Sequence, residues 1–257
     1  MTTREAELLE QVIVAELPRW IAAHPQLRAQ LQDVLSGVAP DAPLRMTYPE
    51  FLAWADEDTL AEWVAVPDTD QGEVMMTSPA SNKHQDISGF LENILRSFVE
   101  THRLGVVRSA PFQMKLERSG REPDLLFVAT AHLDRLKETH LDGPADLVVE
   151  IVSPESAGRD RGEKFYEYAQ GGVAEYWLID PQTRWADFYR LDEGGRYRAA
   201  FSGEEGEYHS AALPGFWLRV EWLWQEPLPH PLRVLGEIGG VDTALVEQFL
   251  QALGEKG

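Results

Sequence analysis

Three charged residues stand where a chain would not ordinarily place them. Glu150 lies inside Asp146-Leu147-Val148-Val149-Glu150-Ile151-Val152, a run that is apolar on both alternating faces. Leu147, Val149 and Ile151 share one face and Val148, Glu150 and Val152 the other, the pattern of a central strand covered on both sides. An ionised carboxylate buried there without a partner is very costly, so the position calls for a cation or a proton. A structural glutamate paired with Arg or Lys is the alternative. Asp124 repeats the anomaly, opening the apolar run Leu125-Leu126-Phe127-Val128 directly after Pro123. Two carboxylates aimed at one place from neighbouring strands repel and raise each other's pKa, and a divalent cation removes that penalty. Oxygen ligands favour magnesium or manganese.

The third residue, Lys164, follows in Ser153-Pro154-Glu155-Ser156-Ala157-Gly158-Arg159-Asp160-Arg161-Gly162-Glu163-Lys164, which leads from the Glu150 strand into a helix. Asp160 and Lys164 are four apart and share a helical face. The plain account is a solvated ion pair worth a few tenths of a kcal/mol. A helix that begins directly after the carboxylate strand also hangs over its C-terminal end. A lysine there could stabilise charge on a phosphate in the transition state or orient an attacking water. Arg159 and Arg161 add a local basic cluster.

The elements that must position these residues are legible in outline. Residues 1–35 carry apolar residues at helical spacing, divided at Pro18, and Val38 to Pro43 reads as a linker. Thr47 caps a short helix with Pro49 in its first turn. Glu73 to Thr77 reads as a strand. Ser81 or Asn82 caps an amphipathic helix whose Ile87, Phe90, Leu91, Ile94, Leu95 and Phe98 form one stripe. Strands are expected at 105–117, 122–129 and 146–152, then a helix at about 160–170 closed by Gly171-Gly172. The next strand, Glu175 to Asp180, ends at Pro181. Asp192-Glu193-Gly194-Gly195 forms a hairpin turn after it. This order predicts an α/β fold with a mixed central sheet flanked by helices. A short amphipathic tail runs from Val241 to Leu253.

Arg121-Glu122-Pro123-Asp124, Val148-Val149-Glu150-Ile151-Val152-Ser153-Pro154-Glu155-Ser156, Asp160-Arg161-Gly162-Glu163-Lys164 and Glu175-Tyr176-Trp177-Leu178-Ile179-Asp180-Pro181 together resemble the Uma-two family. Its members are restriction-endonuclease-like proteins of the PD-(D/E)XK nuclease superfamily. The resemblance runs from about Met46, through Leu213-Pro214-Gly215-Phe216, to about Pro229. It implies a restriction-endonuclease-like core, which the organisation of the chain bounds as a domain over 44–235; the helical N-terminal extension over 1–40 and the helical tail over 236–257 lie outside the resemblance. It further implies that Asp124 and Glu150 bind a metal with the backbone carbonyl of Ile151. The superfamily's usual lysine, two residues beyond the glutamate, is Val152 here. The resemblance makes Lys164 its relocated substitute, accompanied by Asp160. His84, within Ser78-Pro79-Ala80-Ser81-Asn82-Lys83-His84-Gln85, falls at a matching family position and is a second-rank catalytic candidate. A capping or satisfied core histidine fits it equally. Glu62 in Ala61-Glu62-Trp63-Val64 matches a family glutamate, but the turn that follows (Val66 to Gln71) is expanded, and an ordinary surface glutamate fits better.

The bulk properties bound these readings. Lys+Arg number 23 against Asp+Glu 43, a formal net charge of −20. Phosphate neutralisation drives most DNA binding, so this balance predicts weak non-specific affinity for DNA. The absence of cysteine excludes disulfides, thiolate zinc sites and Cys nucleophiles, and fits a reducing cytoplasm. No apolar run reaches membrane-spanning length, and no signal-peptide pattern opens the chain. Trp217, Trp222 and Trp224 could stack on bases, but their spacing fits packing better. The terminal helices and the Trp-rich segment are compatible with a homodimer. The expectation is therefore a magnesium- or manganese-dependent endonuclease-like phosphodiesterase hydrolysing DNA. A catalytically silent nuclease-fold scaffold for a protein partner is the alternative. A carboxylate-pair glycosidase is the third reading, and it leaves Lys164 unexplained.

Overall fold

The computed structural model describes residues 43–55, 59, 61–76, 80–153 and 157–254. The chain divides into two compact units, 1–46 and 47–257. The helices expected over 1–35, and almost all of the linker, lie outside the described residues.

In the second unit the apolar periodicities become elements as expected. Helix α1 (Tyr48–Trp54) is closed by a capping box between Thr47 and Glu50, with Pro in its first turn. It follows strand β1 (Arg45–Thr47), which straddles the division between the units. The antiparallel pair β2 (Ala61–Ala65) and β3 (Gln71–Met76) comes next. Helix α2 (Asn82–His102) is capped by the Ser81 side chain. It buries the predicted stripe from Ile87 to Phe98.

The segment expected as one strand over 105–117 is two. Strand β4 (Gly105–Ser109) and strand β5 (Gln113–Lys115) are separated by Pro111, which has no N–H to give a ladder. They belong to different sheets. Likewise 122–129 contributes only its later part, as β7 (Leu125–Ala129), after the short β6 (Ser119–Arg121). Pro123 interrupts the pairing there, so Arg121 to Asp124 is the crossover between two sheets. Strands β8 (His140–Asp142), β9 (Leu147–Ile151) and β10 (Glu175–Asp180) follow. Next come the hairpin β11 (Trp185–Leu191) and β12 (Tyr197–Gly203), and the small pair β13 (Glu207–His209) and β14 (Trp217–Arg219).

The central sheet runs β12-β11-β10-β9-β7-β4, with β9 and β10 parallel and the other pairs antiparallel. In a second sheet β3, β2, β6, β5 and β8 follow one another. The single helix expected at 160–170 is two, α3 (Ala157–Arg161) and α4 (Glu163–Gly171), separated at Gly162. A Cβ on Gly162 would lie 2.7 Å from the Gly158 carbonyl oxygen, so the chain turns there on a residue without one. Two further helices, α5 (Pro231–Ile238) and α6 (Thr243–Gly254), close the described chain. Residues 235 and 236, where the sequence suggested a boundary, both lie within α5.

Two apolar clusters cover the central sheet. Leu147, Val149 and Ile151 pack with α2 on one face, and Val148 and Val152 with Tyr168 and Tyr176 of α4 and β10 on the other. Trp222 and Trp224 are buried in the first cluster and Trp217 packs against it, so these tryptophans pack rather than project. Among the described residues no helix is long and apolar enough to cross a membrane.

Candidate active site

Glu150 is 4% exposed on a strand buried at every residue, with its side chain on the α4 face. Helix α4 supplies what the burial demands. The Lys164 ammonium donates to both Glu150 oxygens at 3.1 Å, and the Tyr168 hydroxyl donates to Oε1 at 2.6 Å. Lys164 and Tyr168 are four residues apart and so share one face of the helix. Burial pushes the Glu150 carboxyl well above the ordinary carboxylate range. Lys164 opposes the shift, and Asp160, Asp124 and Glu62 add to it.

Lys164 is itself buried and serves more than one acid. Its Nζ lies 3.1 Å from Glu62 Oε1 and 3.3 Å from Asp160 Oδ1. Burial alone would lower its pKa, but Glu150, Glu62 and Asp160 outweigh that and hold it above the usual lysine range. Glu62 is not the surface glutamate that its expanded turn suggested. It is 1% exposed on β2, whose pairing with β6 carries it beneath the segment that holds Asp124. Burial disfavours its charge, yet Lys164 and Arg121 bring its pKa below the usual range.

Asp124 enters from the other side. The β7–β9 register pairs Leu125 with Val149, and one step further sets Asp124 opposite Glu150. Asp124 Oδ2 accepts the Ile151 N–H at 2.6 Å, and His84 Nε2 lies 3.2 Å from both carboxylate oxygens. The His84 side chain is 13% exposed and that of Asp124 17%, so this is the open end of the cluster. Burial disfavours a charged His84, but its hydrogen bond and attraction to Asp124 prevail and raise its pKa. Val152 points into the core, so an apolar side chain occupies the position where the superfamily places its lysine.

Asp124, Glu150, Lys164, His84, Glu62 and Asp160 thus form one connected cluster. Two members escaped the sequence reading. Tyr168 repeats the i,i+4 spacing from Lys164 within Phe165-Tyr166-Glu167-Tyr168, a signal that could have found it. Arg121 is fully buried and donates to Glu62 and Glu167. Only its place beside the Pro-Asp pair marked it. Next to it, Glu122 is raised to about 7, chiefly by burial, while the Gln113 amide opposes the shift and Glu62 adds to it. The expected basic cluster is neutralised in part, because Arg161 pairs with Asp180 at 3.1 Å and Asp187 at 3.4 Å.

Among the described residues no three carboxylate or imidazole groups form a ready-made metal cage. The groups that could hold an ion are the Asp124 and Glu150 carboxylates, set opposite each other across the β7–β9 pair, with the Ile151 carbonyl that the resemblance implies. That suits magnesium, which commonly takes one or two carboxylates and keeps its remaining ligands as water or phosphate oxygens. The charge balance fits as well. Four carboxylates, Asp124, Glu150, Glu62 and Asp160, face Lys164, His84 and a shared Arg121.

The mixed sheet, the helices on its faces and the acid–lysine cluster at the end of adjacent strands define a restriction-endonuclease-like α/β protein. The family model described as "Putative restriction endonuclease", Uma2, matches residues 48–221, and the chain belongs to that family. A solved structure described as a "putative nuclease belonging to DUF820", from Anabaena variabilis ATCC 29413, shares the fold with a TM-score of 0.56. It is 16% identical over 70% of this chain and 97% of its own. No curated protein matches the chain.

Proposed function

We propose that this protein is a magnesium- or manganese-dependent endonuclease that hydrolyses DNA phosphodiester bonds, with Asp124 and Glu150 as the metal-holding carboxylates. The observation that carries this reading is the Lys164 ammonium. It comes from a helix outside the strand and reaches both Glu150 oxygens, although position 152 is valine. A family nuclease that has lost the strand lysine would need such a replacement, and Lys164 supplies it beside Asp124 and Glu150 together.

A divalent ion held by Asp124, Glu150 and the Ile151 carbonyl would supply Lewis acidity and a water of lowered pKa. The chain's own residues do the rest. Lys164 presents an ammonium to the non-bridging phosphate oxygens where charge develops, or orients the attacking water. Glu62 and Asp160 hold that ammonium in place. Tyr168 fixes the Glu150 carboxylate, and His84 together with the Ile151 N–H fixes that of Asp124.

The test is cleavage of single- and double-stranded DNA with magnesium or manganese, run beside Glu150→Ala and Lys164→Ala. Wild type is expected to cut, and each variant to lose roughly a hundredfold or more in rate. Cleavage that survives in both variants removes the assignment. A wild type that cuts none of the substrates favours the alternative of a silent scaffold.

A further inference from the structure

We infer that Arg121 is a positioning residue, which sets the Lys164 ammonium against Glu150 by holding helix α4 and Glu62 with one guanidinium. The inference rests on the nuclease reading of the site only for its effect on cleavage.

Arg121 ends β6, three residues before Asp124, and its side chain is fully buried. Its fork is divided between two elements. Nε donates to Glu167 Oε2 at 2.9 Å and NH2 to Glu167 Oε1 at 3.0 Å, a side-on bidentate clamp on α4. NH2 also lies 3.5 Å from Glu163 Oε2 on the same helix. NH1 remains for Glu62 Oε2 at 3.0 Å. Lys164 lies between Glu163 and Glu167 in the helix, and its ammonium touches the other Glu62 oxygen, Oε1. The guanidinium therefore reaches Lys164 by two routes, through the helix that carries its backbone and through the carboxylate that braces its tip. The same residue fixes this helix relative to the segment that delivers Asp124.

Charge balance alone would not require this arrangement. Any buried cation could neutralise Glu62 or Glu167, but only a planar guanidinium directs donors to both carboxylates from one fixed plane. Without NH1, Glu62 Oε2 would lose its donor and compete with Glu150 for Lys164, beside Oε1, which also accepts the Glu122 N–H. The ammonium would then be drawn towards Glu62 and away from Glu150. A shift of about an ångström in such a group is enough to cost two orders of magnitude in rate.

Arg121→Lys in the full chain tests this with two readouts. The first is the ¹H–¹⁵N signal of the Lys164 ammonium in metal-free protein, assigned by its loss in Lys164→Arg, which needs no cleavage at all. The second is single-turnover DNA cleavage with magnesium, separating maximal rate from half-saturation. For folded Arg121→Lys we expect the protected ammonium signal to vanish. The maximal rate should fall roughly tenfold or more while half-saturation stays within about twofold. A folded variant that keeps the signal and the rate overturns the inference. A wild type that cuts no DNA ends the nuclease reading, and the ammonium signal alone then decides the role of Arg121. Should Arg121→Lys fail to fold, Glu167→Gln leaves the guanidinium paired with Glu62 and Glu163 and carries the same test. Loss of the signal supports the inference, and its retention overturns it.

Discussion

At the scale of residues, Glu150 is tolerated in a covered strand because two donors from one helix reach its carboxylate, and neither is dispensable. The Tyr168 hydroxyl meets Oε1 at 2.6 Å in a buried setting, and no other hydrogen-bonding group on α4 except Lys164 contacts Glu150. Hydrogen bonds to charged groups contribute about 1.5–3 kcal/mol, so Tyr168→Phe should lower stability by that amount in urea unfolding without magnesium. A change under about 0.5 kcal/mol would mean that Glu150 does not depend on the phenol. The charged members of the cluster were mostly legible in the sequence, because a charge within an apolar pattern stands out. Glu62 misled, since the expanded turn after it favoured an ordinary surface glutamate. Its burial comes from the β6 pairing, which no local pattern records. Tyr168 was hidden because a tyrosine on a helix is ordinarily core.

At the scale of elements, the division at Gly162 deserves a direct test because it sets the geometry between Asp160 and Lys164. These residues were expected on one helix. They lie on either side of a break and still meet at 3.3 Å. Alanine at position 162 would push its Cβ onto the Gly158 carbonyl, a backbone atom that cannot swing aside. Gly162→Ala should therefore cost about 1–3 kcal/mol in thermal unfolding, the usual penalty for overpacking, and should slow cleavage. Gly158→Ala is the matched control. Nothing lies within 4 Å of a Cβ there, and the residue is exposed within α3. It should gain about 0.5–1 kcal/mol, as alanine does over glycine in a helix. Equal effects of the two substitutions would show that the break is a feature of composition and not of packing. The strand boundaries were misread for a related reason. Pro111 and Pro123 each stand between two strands, but only the pairing partners reveal that those strands belong to different sheets.

At the scale of the whole molecule, a net charge of −20 sets how DNA could be held. Arg161, part of the expected basic cluster, is engaged by Asp180 and Asp187 and adds little to a phosphate-binding surface. Few phosphates can then be neutralised, and counterion release predicts a shallow salt dependence. For about two or three contacts, log K against log salt should slope at about −2 to −3. Fluorescence anisotropy with labelled duplex and calcium in place of magnesium would measure it. A slope steeper than about −6 would contradict this expectation.

The sequence by itself determined the chemistry on offer and the local elements. It placed two acids beside apolar strands, set a lysine on the helix that follows, and gave the stripe of α2 and the turns and caps between them. All of these are short-range patterns, written in periodicities of two and 3.6 residues. Tertiary structure alone decided which groups meet. It carried Glu62 from a different sheet to Lys164 and set Asp124 across a strand pair from Glu150. It also buried Arg121 between two elements that lie far apart along the chain. Such encounters depend on strand order and register, and neither is encoded in the spacing of neighbouring residues.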